Sequence, residues 1–253
     1  MTEVAHYAVD RAIATVTLDS PHNRNALSAQ LVGEVGAHLR AAAGDDSVRA
    51  VVLTHAGRTF CAGADLKEQA SEGGPAEGTR RMLGLLRAIV ELSKPVLARI
   101  DGHVRAGGLG IVGACDIAVA GPASTFAFTE VRLGLAPAII SLTTLGPMSE
   151  RAAARYYLTG ETFGAAAAAA SGLVTTAADD VDAEVRAISD ALRACAPQGL
   201  AETKPLTTAT ALHAFDERAE RMQALSQRLF ESEQAREGIM AFLHKRPPNW
   251  VAE

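Results

Sequence analysis

The 253-residue chain contains few aromatic residues and few cysteines, and each shortage limits how the protein is stabilised. Phe, Tyr and Trp together make up 4% of the residues, so the core has to be built from Ala, Val, Leu and Ile. The three cysteines, Cys61, Cys115 and Cys195, are far apart and form no Cys-x-x-Cys pair. This spacing predicts free thiols in a reducing compartment, with no disulfide and no structural zinc site.

Segments typical of membrane proteins and nucleic-acid-binding proteins are also missing. No apolar run reaches the roughly 18 residues of a membrane span, and the first residues lack the basic-then-apolar order of a signal peptide. The formal net charge is −5, no dense Lys/Arg segment occurs, and the 7 histidines show no metal-ligand spacing. We therefore expect a soluble, cytoplasmic protein without a metal site, a nucleic-acid partner or a membrane partner.

The pattern that is present predicts an α/β fold followed by helices. Two alternating segments, HYAV and AIATVTL, predict a β-hairpin. Short apolar runs predict four further strands, at residues 50–54, 95–99, 116–120 and 125–128. Continuous runs such as AVVL are typical of parallel sheets covered on both faces. From about Ser149 onward the segments are helix-like, and no confident strand is predicted.

Local signals predict several element boundaries. An amphipathic helix is predicted to begin after a cap at Ser28 and to end near Gly44. The alanine run 165–170 predicts a short buried helix, because alanine is the best helix former. The segment 69–78, with adjacent glycines and a proline, has the composition of a mobile loop, which is either a lid or a connection without a function of its own.

The segment TFCAGADLK (59–67) predicts a small-residue turn that follows the AVVLT strand and leads towards a helix. Small side chains let a ligand approach the backbone, and unpaired amides at such a turn stabilise an anion or a developing oxyanion. A tight turn with Asp65 as the helix N-cap is the alternative. Cys61 is interpreted as a small packed residue, since nothing nearby in the sequence activates it.

A second turn of the same kind is predicted in DGHVRAGGLG (101–110), again between a strand and a helix. If the two turns face each other, one carbonyl oxygen can accept from both, and each donor contributes about 3–4 kcal/mol in the transition state. Residues 108–113 also fit the dinucleotide-binding pattern G-x-G-x-x-G, with Glu130 roughly 20 residues on. We reject that interpretation because residues 101–107 separate the pattern from the strand and the glycines fall inside a helical stretch.

Glu130, in FAFTEVRLG (126–134), is the best candidate for moving protons. It follows an apolar strand and is flanked by Phe128 and Val131, where burial would raise its pKa above the ordinary value of about 4.3 and suit it to acid–base chemistry. An ion pair with Arg132, or a plain surface position, is the alternative. No G-x-S-x-G elbow of a serine hydrolase occurs.

Four motifs in this order resemble the crotonase superfamily, the enoyl-CoA hydratases and isomerases. They are NRNALS (23–28), FCAGADLKE (60–68), DGHVRAGGLGIVGACDIAVA (101–120) and FAFTEVRLGLAP (126–137). The C-terminal SEQAREGIMAFLHKRPPNW is similar to the closing helix and tail of that family. The resemblance therefore covers nearly the whole chain.

The resemblance implies a spiral of ββα units over residues 1–195 and a C-terminal helical region, 196–253, that trimerises and covers the active site. A homotrimer or a dimer of trimers is expected, with an acyl-CoA as substrate and no cofactor besides the coenzyme A that the substrate carries. The amides of Ala64 and Gly107 are expected to form an oxyanion hole, and Glu130 to be catalytic. The expected CoA-binding residues are Asn25, Ala26, Ala62, Asp65, Leu66, Lys67 and Gly108.

Two departures from the family pattern bear on the reaction. Two-glutamate hydratases carry a first glutamate at the position of Gly110 here, and Arg105 stands where the family usually has a small or apolar residue. Glu130 is then the one carboxylate at a catalytic position of the family. The sequence also resembles hydratases of branched glutaconyl-CoA substrates, which have a glycine at the same position. We therefore expect water addition to an enoyl-CoA. An isomerase that shuttles a proton with a single glutamate, and a non-catalytic CoA-binding protein, are the alternatives.

Overall fold

The computed structural model describes residues 2–71 and 74–251, which form two sheets surrounded by helices. In this part of the chain the strands are β1 (Ala5–Asp10), β2 (Ile13–Leu18), β3 (Ala50–His55), β4 (Thr59–Cys61), β5 (Val96–Ile100), β6 (His103–Arg105), β7 (Ile117–Ala120), β8 (Thr125–Ala127), β9 (Phe163–Gly164) and β10 (Thr176–Ala177). The helices are α1 (Ala29–Gly44), α2 (Leu66–Ser71), α3 (Gly74–Glu91), α4 (Gly107–Ala114), α5 (Ser141–Thr144), α6 (Glu150–Thr159), α7 (Ala165–Ser171), α8 (Val181–Arg193), α9 (Pro197–Phe230) and α10 (Glu233–Leu243). A short 3-10 helix, Thr129–Leu133, carries Glu130 and is named the Glu130 turn.

The chain alternates between the two sheets. The larger sheet has the strand order β1-β2-β3-β5-β7-β10, and the smaller sheet has the order β4-β6-β8-β9. β1 with β2 and β8 with β9 are antiparallel, and the other neighbours are parallel. Because β3, β5 and β7 are each followed by a strand of the smaller sheet and then by a helical segment, the chain winds as a spiral of ββα units. The predicted α/β fold class is confirmed.

The larger sheet is buried on both faces. Val51 and Leu53 point into the main core on one face. Ala50 and Val52 point to the other face, where Val181 of α8 covers them. Since successive strand residues point to opposite faces, the continuous AVVL run supplies both cores at once, as predicted. The predicted hairpin is also confirmed, as the antiparallel pair β1 and β2.

Two short strands that the sequence did not reveal, β4 and β6, decide where the predicted turns lie. The predicted turns each follow a strand, but the strands next to them are β4 and β6, which lie between the turns and the predicted strands at 50–54 and 95–99. Each has three residues, TFC and HVR, too few to show a periodic pattern. Pairing holds them in the smaller sheet, where Thr59 is opposite His103 and His103 is opposite Thr125.

The carboxyl ends of β4, β6 and β8 lie side by side, because these strands are parallel neighbours. From this edge the chain leaves β4 into residues 62–65, leaves β6 into α4, and leaves β8 into the Glu130 turn. The three segments singled out in the sequence therefore meet at one edge of the smaller sheet. Ligands bind at the carboxyl ends of strands in many α/β proteins.

The last third of the chain is helical except for β9 and β10. The expectation that no strand follows Ser149 is therefore wrong, because two-residue strands pair with β8 and β7. The long helix α9 packs along α3 and α5, and α10 packs on the Glu130 turn. Among the described residues, no helix combines the length and the apolar character that crossing a membrane requires.

Most predicted boundaries agree with the structure. Ser28 caps α1 through its side chain, and the alanine run forms α7. The prediction that this helix is buried is wrong, because Ala168 alone of the run is buried. The prediction of a loop over 69–78 is wrong for the described residues of this segment, because they belong to α2 and α3. Residues 72–73 of that segment lie outside the described residues.

A buried ion pair ties α9 to the body of the protein. Lys204 of α9 is 4% exposed, and its Nζ donates to Asp116 Oδ2 at 2.9 Å. The same ammonium donates to the carbonyl oxygens of Ile89 and Lys94 at 2.9 and 3.0 Å. These acceptors lie at the end of α3, before β5 and before β7, so one side chain joins three parts of the core to α9.

Lys204→Met is expected to lower the free energy of unfolding by about 3–5 kcal/mol, because it leaves Asp116 as a buried carboxylate without its cation. Urea unfolding followed by circular dichroism at a fixed protein concentration measures the change. Lys245→Met, at an exposed position, is the matched control and should unfold like the wild type. An unchanged unfolding midpoint for Lys204→Met would contradict the role given to this ion pair.

Candidate active site

Two turns at the carboxyl edge of the smaller sheet are in van der Waals contact. A Cβ atom on Gly63 would lie 2.8 Å from the Ala106 Cβ and 3.5 Å from the Gly107 amide nitrogen. Gly63 also has a φ of +91°, which residues with side chains rarely adopt. The Leu27 amide holds this turn from the other side by donating to the Gly63 carbonyl at 2.8 Å. Glycine is required here because any side chain would push the two turns apart.

The backbone amides of Ala64 and Gly107 donate no hydrogen bond within the part of the chain that the structure describes. Gly107 is the first residue of α4, and the first amides of a helix have no acceptor inside it. Ala106 before it has φ 46° and ψ −119°, a strained conformation of a kind that clusters at functional sites. Hydrogen bonds from the Ala106 amide to the Ala127 carbonyl and from the Leu109 amide to the Ala106 carbonyl hold this backbone, and with it the direction of the Gly107 amide.

Asn25 supports the first turn from inside the protein. Its side chain is buried, with Nδ2 donating to the Thr59 carbonyl at 2.7 Å and Oδ1 accepting from the Ser20 amide at 2.6 Å. The structure therefore gives Asn25 a supporting role in place of the expected contact with CoA. Ala26, beside it, is also buried, at 6% exposure.

Asp65 is the N-cap of α2. Its Oδ1 accepts from the amides of Lys67 and Glu68 at 3.1 and 3.2 Å, and its Oδ2 accepts from Asn23 Nδ2 at 3.0 Å. The N-cap alternative stated for this residue is confirmed. Its carboxylate shapes the turn that presents the Ala64 amide.

The other residues expected to bind CoA divide into surface and packing positions. Ala62 and Leu66 are partly exposed and Lys67 is exposed, so all three are accessible. Gly108 is buried, and a Cβ there would lie 2.8 Å from the Cys61 Cβ, so this glycine lets α4 pack on β4. Burial raises the pKa of the Cys61 thiol to about 12, which agrees with a packed, unreactive cysteine.

Glu130 completes the edge. Its Oε2 is buried and has no hydrogen-bond partner among the described residues. Burial raises the pKa of this carboxyl to about 7, against a smaller lowering by its own backbone amide. The alternative of an ion pair does not occur, because Arg132 is exposed and donates to the Thr159 carbonyl at 3.4 Å. A buried carboxyl that titrates near neutral pH is suited to taking up and returning a proton.

The edge therefore combines two unpaired amide donors with one proton-carrying carboxyl. Amides of this kind stabilise negative charge that develops on a carbonyl oxygen. In the described residues no group of three or more His, Cys, Asp or Glu side chains is placed to hold a metal ion.

Similarity to known proteins extends over nearly the whole chain. A family model described as enoyl-CoA hydratase/isomerase matches residues 8–253. The chain belongs to this family. An enoyl-CoA hydratase from Mycobacterium avium with a crystal structure is 55% identical, covers 99% of this chain and 100% of its own, and superposes with a TM-score of 0.93.

Two more distant relatives extend the comparison. The crystal structure of carnitinyl-CoA hydratase from Mycobacterium avium is 30% identical, covers 100% of both chains and has a TM-score of 0.88. A Rhodobacter capsulatus protein named "Probable enoyl-CoA hydratase" is 34% identical over 250 residues, 97% of this chain and 96% of its own. The resemblance inferred from the four motifs is confirmed, and this protein is an enoyl-CoA hydratase or isomerase.

In this hydratase/isomerase, packing closes the position at which two-glutamate hydratases carry their first acid. A Cβ on Gly110 would lie 2.5 Å from Ile140 Cγ2 and 3.2 Å from Leu86 Cδ1. The hydroxyl of Thr143 also donates to the Gly110 carbonyl at 3.0 Å, which binds α5 to α4. Gly110 is therefore a helix-packing residue, and no side chain fits at this position without movement of Ile140.

Two of the three glycines of the G-x-G-x-x-G pattern, Gly110 and Gly113, serve the same packing. One reason given for rejecting a dinucleotide site is wrong, because β6 ends only shortly before the pattern. The other reason holds, since residues 108–113 lie inside α4. A Cβ on Gly113 would lie 2.7 Å from the Thr143 carbonyl oxygen, so both Gly110 and Gly113 are covered by α5 and its flank.

Arg105 points away from the two amides. Its guanidinium donates to the carbonyl oxygens of Val104 and Thr125 at 2.8 and 2.7 Å and to Thr125 Oγ1 at 2.9 Å. Thr125 begins β8, whereas the Glu130 turn follows the end of that strand. The departure at Arg105 therefore braces the smaller sheet and adds no charge to the site.

Two features near Glu130 were missed by the sequence reasoning. Backbone atoms of α10 touch the Glu130 turn and the residue after it. A Cβ on Gly134 would lie 2.7 Å from the Gln234 carbonyl carbon, and a Cβ on Gly238 would lie 2.6 Å from the Leu133 carbonyl carbon. Tyr157 of α6 packs on the residue before the turn, with its ring centroid 4.3 Å from that of Phe128. No local pattern reveals either contact, because both join segments distant in sequence.

Gly110→Ala is expected to lower the free energy of unfolding by about 1–3 kcal/mol, because the added methyl overlaps Ile140. Gly33→Ala in α1, where nothing lies within 4 Å of the new Cβ, is the control and should stabilise by about 0.5–1 kcal/mol. Adding Ile140→Leu, which removes the overlapping Cγ2, should restore part of the loss. Urea unfolding of the four proteins tests this, and equal effects at positions 110 and 33 would contradict it.

Glu130→Gln is expected to stabilise the protein at high pH. Since the folded pKa of about 7 lies above the ordinary value of a glutamate, the folded state binds more protons between the two values, and wild-type stability falls as pH rises through this window. Above pH 7 the variant should be more stable by up to about 3 kcal/mol, and near pH 4.5 the two should agree. Thermal unfolding across this range measures the difference. The exposed control Glu150→Gln should show no such trend, and a pH-independent effect of Glu130→Gln would refute the raised pKa.

Proposed function

We propose that this enzyme is an enoyl-CoA hydratase that adds water across the C2–C3 double bond of an enoyl-CoA thioester. The observation that carries the proposal is the buried, unpaired Oε2 of Glu130 at the same sheet edge as the unpaired amides of Ala64 and Gly107. Family membership supports an acyl-CoA substrate.

In the proposed reaction the thioester carbonyl oxygen accepts hydrogen bonds from the amides of Ala64 and Gly107. Glu130, as the carboxylate, removes a proton from water while the water oxygen bonds to C3. The electrons of the C2–C3 double bond move towards the thioester, and the negative charge of the resulting enolate lies on the oxygen between the two amides. Protonated Glu130 then returns its proton to C2, which yields a 3-hydroxyacyl-CoA.

A single carboxyl can serve both steps because its pKa lies near neutral pH. The form that removes a proton and the form that returns one are then both accessible. The packing of Ile140 against Gly110 leaves room for no second carboxylate on that face of α4.

The same packing favours a second candidate, an enoyl-CoA isomerase. In that reaction Glu130 removes a proton from C4 or C2 of an unsaturated acyl chain and returns it to the other carbon, with the same enolate between the two amides. This proton exchange needs one carboxyl and no water, so it does not require a second carboxylate at position 110, where Ile140 leaves no room for a side chain.

Coenzyme A would approach over the first turn. Ala62, Leu66 and Lys67 are accessible there, beside the Ala64 amide, and Lys67 supplies a cation at the rim. No cofactor beyond the CoA of the substrate is required, because the carbonyl is activated by amides.

Self-association through the C-terminal region is part of the proposal. Large apolar side chains remain at least 40% exposed on α10 and the tail, namely Met240, Phe242, Leu243, Trp250 and Val251. Burial of this surface between subunits would suit a homotrimer or a dimer of trimers.

A panel of acyl-CoAs separates the candidates. Hydration predicts loss of the conjugated enoyl-thioester absorbance with 2-enoyl-CoAs of one or more chain lengths, and formation of the 3-hydroxy product. Isomerisation predicts a gain of that absorbance with 3-enoyl-CoAs. CoA binding without turnover of any compound would refute both and identify a non-catalytic binding protein.

Glu130→Gln is expected to lower kcat by about 10²–10⁴-fold with little change in KM, because the amide cannot carry the proton but keeps the shape of the site. Wild-type kcat/KM should rise with pH through about 7 in either reaction, since each begins with the carboxylate. The steady-state rates of Glu150→Gln, an exposed control, should equal those of the wild type. Full activity in Glu130→Gln would remove this residue from the mechanism.

A further inference from the structure

The hydroxyl of Tyr157 is a buried group near Glu130 that the proposed reaction leaves unused. Its ring packs on Phe128, and the end of α6 touches the Glu130 turn, since a Cβ on Gly160 would lie 3.1 Å from both the Phe128 carbonyl oxygen and Val131 Cγ1. Burial raises the pKa of Tyr157, the hydrogen bond with Thr144 lowers it by less, and the negative charge of Glu130 adds a smaller rise. The phenol and the carboxyl therefore lie within electrostatic reach of each other.

The hydrogen bonds of Thr144 determine which group the Tyr157 hydroxyl donates to. Thr144 Oγ1 contacts both the Tyr157 hydroxyl and the Ile140 carbonyl oxygen, the latter at 2.6 Å. A carbonyl can only accept, and a threonine hydroxyl has one hydrogen, so Thr144 donates to Ile140. Thr144 Oγ1 must then accept a hydrogen bond from the Tyr157 hydroxyl. That hydroxyl has one hydrogen, so it has none left to donate to Glu130.

We propose that Thr144 is a positioning residue: by holding the hydroxyl hydrogen of Tyr157, it keeps Glu130 Oε2 without a donor and so keeps the carboxyl able to carry a proton. Glu130 Oε2 has no partner within hydrogen-bond distance, so a freed phenol hydrogen would reach it through one bridging water. Such a bond would stabilise the carboxylate and make the return of the proton harder. The inference rests on the proposed function of Glu130 as the proton carrier.

Other charged groups around the Glu130 turn are directed elsewhere. Arg132 on the turn donates to Thr159, Arg155 of α6 pairs with Glu161, and Arg105 donates to Thr125. On α10, Glu237 pairs with Arg246, and Glu233 and Arg236 are exposed. α5, which carries Thr144, has the sequence SLTT and no titratable side chain. The raised pKa of Glu130 has burial as its cause and none of these charges.

Three variants test the proposal: Thr144→Val, Tyr157→Phe and the double variant. Thr144→Val removes the acceptor and frees the phenol hydrogen, so the acid dissociation constant of Glu130 should rise about tenfold or more. Tyr157→Phe and the double variant contain no phenol hydrogen and should keep the wild-type constant. Thr144→Ser, which retains the hydroxyl, should also match the wild type, and Thr144→Ala replaces Thr144→Val if the latter does not fold.

The constant is measured in two independent ways. Infrared difference spectra between each protein and its Glu130→Gln counterpart follow the protonated carboxyl band as a function of pH without any substrate. The pH profile of kcat/KM should show the same displacement towards acid in Thr144→Val, with KM at high pH unchanged.

The two readouts also separate this inference from the proposed function. If the infrared titration of Glu130 in Thr144→Val is displaced towards acid but no acyl-CoA is turned over, the proposed function is refuted. The role given to Thr144 is then still supported. Turnover with the same titration in Thr144→Val as in the wild type would overturn the inference. A displacement that persists in the double variant would overturn it as well, because no phenol remains to cause it.

Discussion

The contact between Gly63 and the start of α4 is the constraint on which the site depends. It places the Ala64 and Gly107 amides at the same edge, and it exists only because β4 and β6 pair in parallel and Gly63 has no side chain. The strained backbone at Ala106 is held by its bond to Ala127 of β8, the strand that leads into the Glu130 turn. The smaller sheet thus links both amides and the carboxyl in one rigid unit.

The same organisation places Glu130 where its charge is poorly solvated. A carboxylate with one buried oxygen that lacks a hydrogen-bond donor destabilises the fold, and the structure tolerates it because α6 and α10 hold the surrounding turn. Stability comes from elsewhere: a large sheet buried on both faces and an α9 joined to the core by Lys204. The proposed reactivity and the stability of the fold therefore depend on different parts of the chain.

Packing also explains the two departures from the family pattern. Gly110 is small because α4 and α5 touch there, and Ile140 occupies the space that a side chain would need. Arg105 is large because its guanidinium binds the backbone at the start of β8, outside the site. The first departure leaves the proposed reaction one carboxyl on that face, while the second strengthens the sheet that leads to Glu130.

The sequence by itself determined the family, the α/β class, the opening hairpin, the cap at Ser28 and the segments that carry Ala64, Gly107 and Glu130. These follow from apolar periodicity, capping and small-residue turns, which are local properties of the chain. Only the tertiary structure decided that β4 and β6 exist, that Asn25 is internal, and that Ile140 closes Gly110. Each of these depends on contacts between residues far apart in sequence, and three-residue strands and single packing contacts leave no periodic pattern that could reveal them.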